Sequence, residues 1–443
     1  MKKTVLLSLT IACCTAASAQ QTLTLQQLTD SALQHNVALR SARHDVEAAR
    51  EQRREAFTKY FPNVSATAMT FNANRGMAKM NVDPQELIPA SLGATLAQLM
   101  PAEALAGLAS PISMSMMKNG TIASLMAMQP VFAGGQIVNG NRLARVGEDV
   151  SLLQMDLKEN EVERQVAEYY WQLVCLQEKM NTVHAADSLL ADIYKDVEVA
   201  VKAGVTLRND LLQVQLRQND MKSQQLKLEN GIGIIRLLLA QYCGLRSDAF
   251  AVAQTSGEAD APILSQGSVS VLPEYQLLEK QVEASRLQKK MAVGQQLPSV
   301  AVGAGYNYHN LLDNDRTFAM VFATVSVPIS GWWGGSHAIK RSKIAVRKAE
   351  EQLEDNAQLL SIRMQKATND VAEARQQLLL ARQGMEQAEE NLRISRNRYQ
   401  AGTSTMNALL EAQLLSQQAR DKHTDAQAQL QLSLLDYRQA VGQ

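Results

Sequence analysis

The most constraining feature of this chain is a long stretch in which apolar residues recur at alternating spacings of three and four. It covers residues 353–392, and Ile339 and Val346 continue the same register upstream. The apolar positions are Leu353, Ala357, Leu360, Met364, Ala367, Val371, Ala374, Leu378, Ala381, Met385, Ala388 and Leu392. A sustained period of 3.5 residues is the signature of a coiled-coil seam. Ala at one seam position of several successive heptads indicates that partner helices approach closely there.

The helices that this pattern predicts are unusually long. Residues 337–399 contain no Pro, so one helix can run for about 60 residues, on the order of 90 Å. Residues 136–201 form a similar stretch. Helices of that length cannot fold back into a compact domain, and we expect them to lie side by side in a rod or tube. The low aromatic content, 5%, suits packed helices better than a thick core.

Shorter helices are predicted at residues 25–60, 207–243, 274–296 and 405–441. Between them, residues 251–271 contain Gly257, Pro262 and Gly267, which interrupt helices. We interpret this segment as a linker between two halves of the chain.

The two halves repeat one another. Residues 202–206 and 210–215 match residues 400–404 and 408–413 at an offset of 198, and Pro130 and Pro328 share that offset. A second pair, Pro62 and Pro298, is offset by 236, so the first half carries about 38 extra residues. Such internal repetition indicates a duplicated structural unit.

These landmarks divide the chain into a first repeat over residues 20–250, an equatorial linker at 251–271 and a second repeat over 272–443. Each repeat is predicted to contain a helix, a β-hairpin, a long helix, a tip and a return helix. The first hairpin carries an insertion at 74–121 and its tip lies near residue 204. The second hairpin spans 298–328 and its tip lies near residue 402.

Four strands are predicted at residues 64–74, 122–132, 299–310 and 318–327, each of a length that suits a tilted transmembrane strand. In the third strand the residues of one face are apolar: Val300, Val302, Ala304, Tyr306 and Tyr308. The other face is small or polar. This alternation fits lipid outside and water inside, although a half-buried strand of a soluble sheet alternates identically. Four strands cannot close a barrel, so a membrane barrel requires several copies.

The N-terminal residues read as an export signal. Lys2 and Lys3 precede an apolar run over residues 5–12, and Ala17-Ser18-Ala19 offers a cleavage site before Gln20. We therefore predict a signal peptide at residues 1–19. The alternative is a lipoprotein signal that uses Cys13 or Cys14. After residue 20 the sequence has no apolar run long enough for a spanning helix.

With two copies of helix, strand pair, long helix, tip and return helix, the chain resembles the TolC-like outer-membrane efflux protein family over essentially its whole mature length. The resemblance implies a mainly α fold with a membrane β-barrel. Long antiparallel coiled-coil helices would form a periplasmic tube, and four transmembrane strands per protomer would complete a shared twelve-stranded barrel with an internal two-fold repeat. It also implies a homotrimer in the lipid of the outer membrane.

The function that the resemblance implies is the outer-membrane channel of a tripartite efflux or type I secretion system. Such a channel is a passive exit duct. Its periplasmic helical tips dock onto an adaptor (membrane fusion) protein, which connects it to an inner-membrane RND or ABC-type pump. The competing interpretation is a periplasmic coiled-coil scaffold or adaptor without pore activity.

The resemblance also assigns roles to tip residues. The adaptor-contact tips correspond to Gly204, Val205, Thr206, Leu207, Gly402, Thr403, Ser404 and Thr405. Asp210, Tyr399 and Glu411 correspond to residues that latch or ring the pore. Gly204 and Gly402 have an alternative role as turn formers, and Glu411 as a solvated helix residue. Two positions depart from the family pattern: Ser404 replaces an interlocking Arg and Ala408 an Asp, so the latch is expected to be weaker or built differently.

Aromatic residues near the strand ends are predicted membrane-interface anchors: Trp332 and Trp333 in one place, Tyr306 and Tyr308 in another. The insertion is rich in Met, namely Met77, Met80, Met100, Met114, Met116 and Met117. Thioethers bind Cu(I), but the absence of adjacent His or Cys favours a loop that packs on the barrel mouth, with a short amphipathic helix at 92–108.

No motif for catalysis, a cofactor or a metal is found in the sequence, so we predict a protein that is not an enzyme. Cys175 and Cys243 remain after signal cleavage, and the sequence leaves open whether they pair. Lys and Arg together equal Asp and Glu, 44 each. Without a basic surplus we predict no nucleic-acid partner.

Overall fold

The computed structural model describes residues 21–76, 78–82, 112–246, 248, 250–253, 267–311, 314–329 and 331–442. The described chain divides into two units. The tip unit comprises residues within 1–50, 146–283 and 348–443, and the sheet unit comprises residues within 51–145 and 284–347. The predicted signal peptide and the predicted helix at 92–108 lie outside the described residues.

Helices dominate the chain, and their order repeats in the two halves. The helices of the first half are α1 (Leu25–His35), α2 (Val37–Thr58), α3 (Gln136–Lys202) and α4 (Arg208–Cys243). Those of the second half are α5 (Pro273–Gly294), α6 (Gly331–Gln400) and α7 (Met406–Val441), preceded by a short 3-10 turn at Val269–Val271. With 67 and 70 residues, α3 and α6 each extend about 100 Å. The prediction of two very long helices is therefore confirmed.

The strands of the sheet unit form one antiparallel four-stranded sheet. Its members are β2 (Asn63–Asn72), β5 (Asn119–Ala133), β7 (Ser299–Leu311) and β8 (Asn314–Ser326), in the spatial order β2-β5-β7-β8. The second strand is longer than predicted, because β5 begins at Asn119 and ends at Ala133 instead of spanning residues 122–132. A bulge between Pro130 and Phe132 accommodates the proline within the strand. The sheet thus joins the hairpins of both halves.

The insertion in the first hairpin contains structure that the sequence did not predict. Its ends form an antiparallel pair, β3 (Ala78–Val82) with β4 (Ile112–Met116), which extends the connection between β2 and β5. Met117 follows β4 with a φ of 61°, a conformation that is uncommon for a residue other than Gly.

The sequence prediction was wrong at two places in the tip unit. The single helix predicted at 25–60 is broken at Asn36, whose ψ is 132°. The Asn36 side chain accepts a hydrogen bond from the Ala38 amide at 2.9 Å and donates one to the Tyr242 carbonyl at 3.2 Å. This distant contact stabilises an interruption that local periodicity does not show.

The linker predicted at 251–271 begins too early. Residues Phe250–Val252 form β6, which pairs in parallel with β1 (Gln21–Leu23). Phe250 and Val252 are buried in a core with residues of α1, α3 and α4, and the Tyr170 hydroxyl donates to the Ala253 carbonyl at 2.5 Å. Residues 250–253 are therefore part of the packed core, and residues 254–266 lie outside the described residues.

Candidate functional site

The two helical tips have the same backbone structure. At the first tip Gly204 has a φ of 75°, and at the second Gly402 has a φ of 72°. In each, the glycine amide bonds to the carbonyl three residues back, and the next amide to the carbonyl five residues back. This is a Schellman motif, which requires a left-handed residue after the helix. The turn-forming role of both glycines is thus established by geometry.

The residues after each glycine differ in how they begin the return helix. At the second tip Thr405 caps α7 by accepting from the Ala408 amide at 3.3 Å. At the first tip Leu207 occupies the cap position and makes no side-chain capping bond. Instead the Thr206 hydroxyl donates to the Asp210 carboxylate at 2.6 Å. Val205 and Leu207 are 80% and 70% exposed, so this tip presents apolar side chains to its surroundings.

Tyr399 lies one turn before the second tip and packs against a core of residues from α3, α4 and α7 that includes Val197, Met406 and Leu409. Burial raises the pKa of Tyr399, and the negative charge of Asp210, followed by that of Asp196, raises it further. The fold therefore brings Tyr399 into the electrostatic range of Asp210. The Asp210 carboxylate accepts its hydrogen bond from the Thr206 hydroxyl.

The remaining predicted tip residues lie on α7 and in its preceding turn. Glu411 is exposed and Ser404 is half-buried. The Thr403 hydroxyl donates to the Arg398 carbonyl at 3.1 Å, which reinforces the end of α6. The roles of these residues in adaptor contact and gating remain predictions.

Sequence reasoning missed a buried polar network behind the tips, between α4 and α7. The Arg217 guanidinium donates to Gln413 at 3.2 Å, Gln413 to Gln417 at 3.4 Å, and Gln417 to Gln224 at 2.8 Å. Gln413 and Gln417 are 2% and 7% exposed. In the sequence these residues look like the solvated face of a helix, and only the packing of the two return helices shows that they are buried.

The predicted interface aromatics lie at different positions along the sheet. Trp332 and Trp333 begin α6, just after β8, and are 50% and 77% exposed. The Trp332 indole donates to the Gln296 carbonyl at 3.0 Å. Tyr306 and Tyr308 lie in the second half of β7, where the Tyr308 hydroxyl donates to Asp315 at 3.1 Å. The role of these aromatic residues as membrane-interface anchors remains a prediction.

The two cysteines of the mature chain are packed inside the helical part of the molecule. Cys175 and Cys243 are free thiols, and burial raises their pKa values to about 11 and about 12, so both remain protonated as packing residues. Across the described residues, no group of three or more His, Cys, Asp and Glu side chains is placed to hold a metal ion. Met77 and Met100 lie outside the described residues.

No helix among the described residues is both long and apolar enough to cross a membrane.

The fold and its paired tips define a class of duplicated helical-hairpin proteins that carry a strand hairpin in each half. A model of the family described as "Outer membrane efflux protein" matches residues 28–245 and 273–443. The chain belongs to the outer membrane efflux protein family. It is an outer-membrane channel of an efflux system, and its family and fold are those of channel proteins.

Solved structures with the same fold have low sequence identity to this chain. The outer membrane protein VceC of Vibrio cholerae is 17% identical, with 94% of this chain and 96% of that chain covered and a TM-score of 0.73. The CmeC outer membrane channel of Campylobacter jejuni is 16% identical, with coverages of 94% and 85% and a TM-score of 0.76. The MtrE outer membrane channel of Neisseria gonorrhoeae, in its open state, is 16% identical, with coverages of 94% and 88% and a TM-score of 0.72. No curated protein sequence matches significantly.

Proposed function

We propose that three copies of this chain assemble into one channel, each contributing its four strands to a shared twelve-stranded barrel. The sheet of one copy ends at β2 and β8. An open sheet edge is not tolerated in lipid because its amides and carbonyls would have no partners. Pairing β2 of one copy with β8 of the next satisfies these groups, and four strands alone are too few to enclose a lumen.

The two faces of the sheet support this arrangement. Residues paired directly across strands share a face, so Leu125, Tyr306 and Ala319 lie with Val302 on one side. That face is apolar over the middle of the sheet, and Val302, Val321 and Val325 on it are exposed. The opposite face carries Asn307, His309 and Arg316. The first face suits lipid and the second suits a water-filled lumen.

The long helices would continue from this barrel as a periplasmic tube, with the tips docked on an adaptor protein that leads to an inner-membrane pump of the RND or ABC type. The observation that carries this proposal is the pair of matching tips, one with exposed Val205 and Leu207. Exposed apolar side chains on a rigid turn are suited to a protein contact. The channel itself is a passive duct without catalysis, cofactor or bound metal.

A latch between the tips would close the duct at rest. Tyr399 and Asp210 lie on different hairpins and are electrostatically coupled. A small shift would let the Tyr399 hydroxyl donate to the Asp210 carboxylate in place of Thr206. A hydrogen bond of that kind contributes about 1.4 kcal/mol, which corresponds to about tenfold in the ratio of closed to open channels.

Single-channel recording in planar bilayers tests the proposal. The oligomer, extracted from outer membranes in mild detergent, is expected to have the mass of a trimer and to conduct. Tyr399→Phe and Asp210→Ala are each expected to raise the open fraction about tenfold. Asp192→Ala, which removes an exposed carboxylate paired with Lys195 on α3, is the matched control and should leave conductance unchanged.

The scaffold interpretation predicts different results. A monomer that leaves the membrane in high salt and gives no conductance would overturn the channel assembly. A conducting trimer whose open fraction is the same for Tyr399→Phe, Asp210→Ala and the wild type would overturn the latch alone.

A further inference from the structure

The helical segments that adjoin the four-stranded sheet are strongly basic, although the whole chain has equal numbers of positive and negative residues. These segments are residues 51–62, 136–145, 284–298 and 331–347. Their positive residues are Arg53, Arg54, Lys59, Arg142, Arg145, Arg286, Lys289, Lys290, Lys340, Arg341, Lys343 and Arg347. Their negative residues are Glu51 and Glu55. This concentration of positive charge suggests that the sheet unit binds a negatively charged partner.

A cleft between α2 and α3 gathers part of this charge. It has a volume of about 450 Å³ and is lined by Arg53, Arg54 and Phe57 from α2 and by Asn141 and Arg145 from α3. The Asn141 amide donates to the Ala56 carbonyl at 2.8 Å and to the Ile137 carbonyl at 2.9 Å, so it fastens the two walls together. Three guanidinium groups around one concavity suit a phosphate, which arginine binds through two parallel hydrogen bonds.

The Arg54 guanidinium at this cleft has an acidic neighbour, Glu51. Glu51 accepts from Arg54 at 2.5 Å, and both side chains are about two-thirds exposed. A pair this exposed contributes little and opens readily. Arg145, on the opposite wall, is exposed.

An aromatic cluster lies between the cleft and the sheet. The Phe57 ring contacts the rings of Tyr60 and Phe61 edge to face, each at 5.6 Å between centroids. The three side chains are 56%, 39% and 56% exposed, and β2 begins at Asn63. Exposed aromatic rings followed by arginines are the order of groups expected where a protein leaves the hydrocarbon core and meets lipid headgroups.

The second repeat reproduces the same charges. At the offset of 236, Arg53 and Arg54 correspond to Lys289 and Lys290 of α5. At the offset of 198, Arg142 and Arg145 correspond to Lys340 and Lys343 of α6. Positive charge has thus been kept at four equivalent positions, whereas Glu51 and Glu55 correspond to Leu287 and Met291. A chance surface charge would not be expected to recur in this way.

We propose that the cleft of Arg53, Arg54 and Arg145 binds the phosphate of an anionic phospholipid headgroup in the periplasmic leaflet of the outer membrane. Lys289, Lys290 and Lys343 occupy the corresponding positions of the second repeat. The inference rests on the proposed function in one respect, namely that the sheet crosses the membrane with these helices on its periplasmic side. Bound headgroups would fix the depth of the barrel in the bilayer.

Native mass spectrometry of the detergent-purified channel tests this binding, with phosphatidylglycerol and phosphatidylcholine as probes. The wild type is expected to retain phosphatidylglycerol in preference to phosphatidylcholine. The triple variant Arg53→Gln, Arg54→Gln and Arg145→Gln is expected to bind it about a hundredfold more weakly, from about fivefold for each charge lost near an anionic lipid. The corresponding Lys variant keeps the charge but loses the paired hydrogen bonds, so its affinity for phosphatidylglycerol is expected to lie between those of the wild type and the Gln variant.

The matched control removes three exposed lysines of the tip unit, Lys195, Lys222 and Lys227, by replacement with Gln. It should bind phosphatidylglycerol like the wild type. Equal binding by the Arg53, Arg54 and Arg145 variant, equal retention of phosphatidylcholine, or full competition by inorganic phosphate would each overturn the proposal. Conductance of the same samples separates the two proposals, since a trimer that conducts without selective lipid binding contradicts only the lipid site.

Discussion

At the scale of single residues, the Asp421 carboxylate on α7 lies in an environment that disfavours its charged form. One of its oxygens is buried and has no hydrogen-bond partner among the described residues. The nearby Lys179 ammonium forms an ion pair with Asp425, one turn later on α7, at 2.7 Å. Burial raises the pKa of Asp421 to about 6, Lys179 lowers it and Asp425 raises it. The folded chain therefore holds a proton here more tightly than the unfolded chain does.

This pKa gives a prediction with a definite sign. Because the folded pKa lies above the value of about 3.9 in the unfolded chain, the free energy of unfolding should fall as the pH rises from about 4 to about 6. Asp421→Asn should remove that dependence and raise the melting temperature above pH 6. Thermal unfolding of the purified protein at pH 5 and pH 7.5 measures both effects.

The control for Asp421 is the exposed Asp192. Asp192→Asn should leave the difference between the two melting temperatures as it is in the wild type. If Asp421→Asn also leaves it unchanged, Asp421 is not the group responsible. Sequence alone would not have selected Asp421, because its burial depends on α3, whose facing residues lie more than 240 positions earlier.

At the scale of elements, the return helices α4 and α7 are joined by the hydrogen-bonded chain from Arg217 to Gln224. Both Arg217 and Gln413 are largely buried. Removing one partner of a buried hydrogen bond leaves the other without an acceptor or donor. Apolar side chains in both positions avoid that cost for the bond between Arg217 and Gln413, whereas the bond from Gln413 to Gln417 is lost in either case.

A double-mutant cycle should show this coupling. Arg217→Met and Gln413→Leu are each expected to destabilise the protein by about 1–3 kcal/mol. The double variant should cost less than the sum, with a coupling energy of at least about 0.5 kcal/mol. Denaturant unfolding monitored by circular dichroism gives the three values. The control is Gln225→Leu, which removes an exposed hydrogen bond to Glu229 on the same helix as Arg217 and should change stability little. If the effects of Arg217→Met and Gln413→Leu add strictly in the double variant, the network is contradicted.

The elements also show which parts of the fold can be predicted from the sequence. The 3.5-residue period, the Pro pairs and the Gly-containing tips predict the long helices, the hairpins and their repetition, because each of these signals is local and long. The break at Asn36 and the pairing of β1 with β6 were not predicted. Strands of three residues are too short for periodicity, and the Asn36 side chain depends on Tyr242, 206 residues away.

The tip site was predictable to a similar degree. Glycine in a tight turn has a local signature, so the alternative role of Gly204 and Gly402 as turn formers could be read from the sequence. The capping role of Thr405 was not predicted. That Tyr399 and Asp210 act together was predicted from the family resemblance, not from the spacing of the two residues in the sequence. The polar network behind the tips depends on helix packing and left no local signal in the sequence.

At the scale of the whole molecule, the orientation of the sheet in the membrane can be tested with two adjacent residues. Val321 and Met320 of β8 lie opposite Ala304 and Gly305, respectively, and so occupy opposite faces. An Arg at mid-membrane on the lipid face costs about 2–4 kcal/mol, whereas lumen positions accept charge. Val321→Arg should therefore lower the yield of membrane-inserted oligomer.

Met320→Arg is the matched control, with the same new charge one residue earlier. It should insert as the wild type does and change the conductance or ion selectivity of the channel. The yield of heat-resistant oligomer on unheated gels, together with bilayer conductance, distinguishes the two variants. The reverse outcome would exchange the assignments of lipid and lumen faces.

The parallel pairing of β1 with β6 has a consequence for how the duplicated chain is organised. It joins residues 21–23 to residues 250–252, so the two ends of the first repeat meet. The first repeat is thus a loop of chain whose ends are joined by three residue pairs, and Ala428 of the second repeat packs in the same core. All three pairs lie within the first half of the chain, whereas the core beside them is completed by α7 of the second half. The ends of the first repeat are therefore held together by contacts from both repeats.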